Sequence, residues 1–444
     1  MRAGRRGRAI VGGVLLGAFV AGCTTADPEP GTAPSPSPVT SSSPSPEPVA
    51  ITLGVYGPEG SLDAYDELAA AFTAEHPHVS VEVARYDDPD EVLASVESTD
   101  PPDVFLMDHE HLPRLLEGAL VQPVDGLLET RQVDFGDGYQ RAGLTAFAAE
   151  ASLQCMPHDV SPAVVYYNED LVDLEALATD EAPAPTALDG WHWEEFEAAA
   201  RQASRGRVSG VYIEPSLPAL APFVWSAGGD IVDDPQAPTT LTLSDETTKG
   251  ALEQVLGLVR DPQVTPTSVE LNKRDAVTRF ARGQLAMVLG TRALTPRLRG
   301  VEDLDFDVMP LPSLGRFRTV ADMTGYCISA GTEEVEAAGD LLAFAVGREG
   351  ASITARAGYT VPSNLEVANS AVFAQASQQP ANSFIFNEGV RRTQSMPFSP
   401  RWEELTEEVA PDLERLFHSP VIDLDTRLLD IDEKSAEVLA PVEE

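Results

Sequence analysis

The sequence predicts an α/β fold in which mostly parallel sheets are flanked by helices and the body divides into two units. Three observations predict it. Short apolar strands alternate with amphipathic helices from the start of the body, the pattern of a sheet covered on both faces. The alternation restarts near residue 160 with the apolar run Ala163 to Tyr167. The body, from about Ala50 to Glu444, is long enough for two or three domains, and a chain that is 43% hydrophobic can fill their cores.

Taken in order, Ile51 to Tyr56 reads as a strand that runs into Gly57-Pro58-Glu59-Gly60. Ser61 is placed to cap a helix whose Leu62, Tyr65, Leu68 or Ala69, and Phe72 recur at helical spacing. Val79, Val81 and Val83 alternate as the next strand; a helix follows near Pro89 to Glu97, then the apolar strand Val104 to Met107. In the second unit Asn168 can cap a helix beginning at Glu169. Further helices are expected over Glu194 to Ala203, Lys249 to Val259, Arg274 to Gly283, Glu334 to Val346 and Trp402 to Leu416. Asp307 to Pro310 and Thr324 to Ser329 read as strands. In such sheets ligands sit beyond the carboxyl ends of the strands. Two of those ends carry Tyr56 with Glu59, and Asp108 with Glu110.

The first residues speak to compartment. Arg2, Arg5, Arg6 and Arg8 precede an apolar run from Ala9 to Gly22. That run is short of the roughly 20 residues a spanning helix needs and fits a secretory signal. It ends in Val20-Ala21-Gly22-Cys23, which resembles a bacterial lipobox. The expectation is a signal over 1–22 and a diacylated Cys23, anchored at the extracellular face of the cell membrane. Eighteen of the 26 residues from 24 to 49 are Pro, Ser or Thr. Such a stretch cannot bury a core, so 23–49 is expected to be a tether, extended at most to roughly 80 Å. The formal charge of −41 argues against nucleic acid and against peripheral binding to anionic lipid. No metal ion or cofactor is expected. Asp108-His109-Glu110-His111 lacks the spacing of the strong zinc patterns, and no nucleophile elbow or phosphate loop occurs. A pair of glycosidase carboxylates has no sequence spacing, so an anchored glycoside hydrolase stays open as the rival class.

Several segments carry a resemblance. Pro101-Pro102-Asp103-Val104-Phe105 with Gly118-Ala119-Leu120, Met156 to Pro162 with Val165 to Leu171, and Trp191-His192-Trp193-Glu194-Glu195-Phe196 come first. Gly228-Gly229-Asp230, Phe280 to Met287, and Gly358-Tyr359-Thr360-Val361-Pro362 follow. In this order they resemble the carbohydrate-type extracellular solute-binding proteins of ABC importers, the maltose-binding-protein-like group. The resemblance implies a two-lobed periplasmic-binding-protein-like fold joined by hinge strands. The first lobe would take 51–156 and 328–378, and the second 160–322 and 380–444. It implies a monomer that captures a sugar or sugar derivative between the lobes and delivers it to permease subunits, or else feeds a sensor.

Ligand-contact candidates follow from that frame: Tyr56, Glu59, Asp108, Asp159, Trp225, Arg292 and Trp402. Trp191 and Trp193 are expected to be packing residues at a helix start. Where relatives carry Gly-x-Trp, this chain has Gly290-Thr291-Arg292. Arg292 there would suit an acidic or modified sugar. With Cys23 taken by lipid, Cys155 and Cys327 remain, either as buried thiols or as a disulfide. The resemblance sets their two strands side by side at the hinge and so implies the bond.

Overall fold

The computed structural model describes residues 47–180, 182–397, 399–419 and 423–440. The expected signal, the lipidated Cys23 and nearly all of the expected tether lie outside the described residues. Twelve strands are found among those described: β1 Val49–Tyr56, β2 Val79–Tyr86, β3 Val104–Asp108, β4 Val121–Gln122, β5 Ala148–Ala149, β6 Ser152–Leu153, β7 Cys155–Pro162, β8 Val164–Asn168, β9 Ser209–Tyr212, β10 Leu285–Gly290, β11 Phe306–Pro310 and β12 Ala321–Ser329. The first sheet runs β2-β1-β3-β12-β4, with β7 also paired to β12; the second runs β11-β8-β10-β9. β5 and β6 form a small hairpin.

In each large sheet one strand runs against all the others. In the first it is β12, antiparallel to β3, β4 and β7, while β1 pairs β2 and β3 in parallel. In the second it is β8, antiparallel to β10 and β11, while β9 and β10 are parallel. The cause is connectivity. β7 ends at Pro162 and, after Ala163 alone, the chain enters the second sheet as β8. β12 brings it back. Each reversed strand is one the chain uses to cross between sheets.

These crossing strands form the hinge. β7 and β12 pair along their whole length, from Ala321 opposite Pro162 to Cys327 opposite Cys155, with a bulge beside Thr324 and Gly325. Cys155 and Cys327 are bonded to each other, their Cα atoms 4.4 Å apart. A third segment lies on the other side of β7. Val160 N–H donates to Val361 O at 3.0 Å, and Ser363 N–H donates to His158 O at 2.9 Å.

The helices follow apolar spacing, with local chemistry setting their ends. Glu59–Glu75 buries Tyr65, Leu68, Ala69 and Phe72, as expected, but begins two residues before Ser61. The Ser61 hydroxyl donates back to Pro58 O at 2.7 Å, so it sits inside the first turn instead of capping it. Asp88 caps Pro89–Val96 and Asp245 caps Glu246–Val259, each accepting from a backbone N–H of the first turn. The helix expected at Glu169 does not form: Asn168 Oδ1 takes Asp170 N–H at 2.9 Å and closes a turn only. Several helices escaped the sequence reading, among them Arg348–Ala357, Leu424–Leu439 and Leu217–Ala227, the last because Pro218 and Pro222 interrupt its pattern. Leu217–Ala227 ends at Gly228, whose φ of 93° only glycine adopts without strain. Among the described residues no helix is long and apolar enough to cross a membrane.

Candidate functional site

The strand ends of both sheets converge on connected open space. A cavity of about 570 Å³ is lined from the first sheet's side by Glu110 and His111, from the second's by Glu214 and Pro218, and by Trp402 and Glu403 at the start of Trp402–His418. A second cavity, about 750 Å³, continues from it past Glu214 and Ser216 beneath Tyr212, Asn272 and Gly290. These are the carboxyl ends of β9 and β10, where an open α/β sheet offers its ligand crevice.

Carboxylates gather at the end of the first sheet. Asp108, the last residue of β3, accepts the Tyr56 hydroxyl at 2.5 Å. The chain then turns through a short 3-10 segment, His109–His111. The turn brings ligand atoms of Asp108, Glu110 and His111 within 4.8 Å of one another. His111 Nε2 is 3.3 Å from Asp90. The Asp108 carboxyl is pushed up to about 7, chiefly by burial; the Tyr56 hydrogen bond opposes this, and the charges of Glu110 and Asp322 add to it. The Glu110 carboxyl is raised by burial too, with Asp322, Asp90 and Glu403 contributing against His111. Asp322, on β12, is exposed to water, yet the protein around it raises its carboxyl while a hydrogen bond from Thr291 holds it back. That combination is what a carboxylate on the floor of a deep crevice experiences.

The expected contact residues divide into three groups. Tyr56, Glu59 and Asp108 stand at the end of the first sheet, with Glu59 exposed in the first turn of its helix. Trp402 lines the cavity from its rim, with its body buried. Asp159 belongs to the hinge: its carboxylate accepts Val361 N–H at 2.6 Å and the Ser161 hydroxyl at 2.7 Å, and burial raises it well above the usual carboxylate range.

Two expectations need correction. Trp225 is buried inside Leu217–Ala227, its indole N–H donating to Asp230 at 3.1 Å; the same helix offers Pro218, Ala219 and Pro222 to the cavity instead. Arg292 is fully buried. It donates to Gly358 O, Ser383 Oγ and Phe373 O at 3.1–3.3 Å, with its guanidinium 5.0 Å from the Phe373 ring and 5.1 Å from Phe386. It turns inward because carbonyls and aromatic faces satisfy it there. The argument it gave for an acidic sugar goes with it. Trp191 and Trp193 are core residues, as expected.

Glu110 was expected at a strand end facing the ligand; His111, Asp90, Glu214 and Asp322 were not expected there. For Glu214 the signal was the rule of carboxyl strand ends, hidden because β9 is only four residues long. Asp322 carries no local signal, since only pairing with β7 and β3 brings it to the crevice.

Two sheets joined by paired hinge strands, with a crevice between their carboxyl ends, define the two-lobed periplasmic-binding-protein type of fold. Residues 67–381 match the family of bacterial extracellular solute-binding proteins, and the chain belongs to that family. Solved structures of the same fold include an ABC substrate-binding protein from Listeria monocytogenes in complex with cycloalternan, at 20% identity, covering 88% of this chain and 99% of that one with a TM-score of 0.75. The GacH receptor of Streptomyces glaucescens, solved unliganded and with acarbose, matches at 17% identity over 88% and 98%, TM-score 0.72. Maltose-bound MalE3 of T. maritima matches at 16% over 87% and 99%, TM-score 0.70.

Proposed function

We propose that this chain captures a saccharide or sugar derivative between its lobes and hands it to the permease subunits of an ABC importer. The observation that carries the reading is the 570 Å³ cavity, to which strand ends of both sheets and the head of the helix Trp402–His418 all contribute. A volume of that size suits a mono- to trisaccharide-sized ligand. Trp402 offers an aromatic edge for the apolar face of a sugar, and the carboxylates offer acceptors for its hydroxyls. The fold relatives with bound cycloalternan, acarbose and maltose support a carbohydrate. In this reading the lobes are 51–156 with 328–378 and 160–322 with 380–444, the chain acts as a monomer, and Tyr56, Glu59, Asp108 and Trp402 belong to the ligand's walls. A diacylated Cys23 tethers the body to the extracellular face of the membrane. The protein binds its ligand without turning it over.

A thermal-shift screen of saccharides, sugar acids and polyols tests this. Saturation at 100 times the dissociation constant stabilises the fold by about 2.7 kcal/mol, a readily measured rise in melting temperature. Trp402→Ala is expected to weaken binding of any hit about tenfold or more, a loss typical of an aromatic anchor. A screen without a saccharide hit would remove the reading, and consumption of a glycan by the purified protein would favour the hydrolase instead.

A further inference from the structure

We propose that the ligand is a saccharide carrying a protonated amine, recognised by carboxylates that line one cavity from both sheets. This deepens the capture reading and rests on it. The argument begins with the charges that line the 570 Å³ cavity. Asp90, Glu110, Glu214, Glu403 and Glu407 line it on the acidic side, and Arg114 and His111 on the basic side. Neither base is available. Arg114 is 3.1 Å from Glu97 and 4.0 Å from Glu403, and His111 is 3.3 Å from Asp90. Among the described residues, Glu214 and Glu407 form no ion pair, and Glu110 has only His111 near it, which already stands 3.3 Å from Asp90.

The arrangement of these three matters more than their number. Glu110 stands at the end of β3 in the first sheet, and Glu214 follows β9 in the second. Glu407 belongs to the helix Trp402–His418. They line one cavity from three elements. Asp322 lies close enough to Asp108 and Glu110 for its charge to raise both carboxyls, and Glu110 in turn raises Asp108. In the open state water screens them. Hinge closure around a ligand expels that water and moves the two sheets' carboxylates together. A neutral saccharide can donate hydroxyl hydrogen bonds to them but leaves their mutual repulsion to grow as the dielectric falls. A ligand with a protonated amine removes that repulsion and makes charge-assisted hydrogen bonds at the same time. The one arginine the sequence put in this cleft, Arg292, is in the interior, so nothing here favours an anionic sugar.

The test uses the full chain in detergent, at pH 7.5 with EDTA, and isothermal calorimetry. The probes are glucosamine and its β-1,4-linked dimer and trimer, their N-acetylated counterparts, and neutral gluco-oligosaccharides of equal length. The amine forms are expected to bind at least about tenfold tighter than the acetylated and neutral forms. Their advantage should shrink as ionic strength rises from about 0.01 M to about 0.15 M. Glu110→Gln and Glu214→Gln should each lower the ratio of amine to acetyl affinity several-fold, with melting temperatures confirming that both variants fold. Acetylated or neutral forms binding as tightly as the amines would overturn this proposal and leave saccharide capture standing. Binding of the acetylated forms that appears only when calcium or manganese replaces EDTA would overturn it as well, because the positive charge would then be a metal ion. If no saccharide binds under any condition, the capture reading falls too.

Discussion

Arg292 is a cation buried without a carboxylate, held by two carbonyls, one hydroxyl and two aromatic rings. Burial holds its guanidinium down to about 10. It stands just beyond β10, while Gly358 caps Arg348–Ala357, a helix packed on the first sheet's Glu59–Glu75. It therefore ties the two sheets' surroundings together near the third crossing segment. Truncation strands two carbonyls and opens a cavity, so Arg292→Ala is expected to cost roughly 2–5 kcal/mol of stability in denaturant unfolding. Asp108 responds to pH instead. Its carboxyl titrates near 7 in the fold against 3.8 for an unperturbed aspartate. Between those values the folded state holds the extra proton, so the stability Asp108 contributes is fully present below about 4 and is lost as pH rises through 7. Asp108→Asn keeps an acceptor for the Tyr56 hydroxyl and does not titrate. Relative to the parent, its melting temperature is expected to climb as pH goes from 4 to 8, and a difference that stays flat across that range would refute the assignment. At this scale the sequence was partly readable. Tyr56 and Asp108 follow from strand ends and Trp402 from the family resemblance, whereas whether Arg292 turns inward or outward depends on Gly358, Phe373 and Ser383, which are 66 to 91 residues distant.

At the scale of elements, the hinge is the most constrained feature. β7 and β12 pair from Pro162 to Cys155 with one bulge, and the disulfide sits at the end farthest from the second sheet, closing a separation of 172 residues. In the chain-entropy model a loop of that length restricts the unfolded state by about 5 kcal/mol. The double variant Cys155→Ser, Cys327→Ser is expected to lose stability on that order while its ligand affinity changes less than about threefold, since the bond lies within one sheet's pairing and not across the cleft. Calorimetric melting and a binding isotherm on the same preparation separate the two effects. The bulge beside Thr324 leaves His158 opposite no partner in the register. His158 instead packs its ring 4.9 Å from Tyr326 and meets the Tyr65 hydroxyl at 3.2 Å. The existence of most elements was legible from period and capping residues. Leu217–Ala227 was not, because Pro222 removes a helical donor where tertiary packing compensates, and β9 was not, because four residues make too short a pattern; Arg348–Ala357 and Leu424–Leu439 were missed as well.

For the whole molecule, the expected motion is closure about the β7–β12 ribbon and the segment at Val361–Ser363. Saturating ligand should reduce the radius of gyration in small-angle scattering, and an unchanged curve at full occupancy would exclude a closing cleft. Cys23 is expected to be the first residue of the membrane form, diacylated, by mass spectrometry; a mature N-terminus elsewhere without lipid would contradict the anchor. The sequence by itself determined the class of fold, the order of many elements and the family, whose resemblance in turn implied the disulfide the structure shows. These rest on local period, on turn and cap chemistry and on motif order, all of which are written along the chain. Only the tertiary structure decided which side chains share the cleft. Glu110, Glu214, Asp322 and Trp402 are separated by about a hundred residues or more, apart from the eighty between Trp402 and Asp322. Their meeting depends on β12 returning beside β3 and on the helix Trp402–His418 lining the same cavity as the residues after β9, and pairing at that distance leaves no periodic trace in sequence.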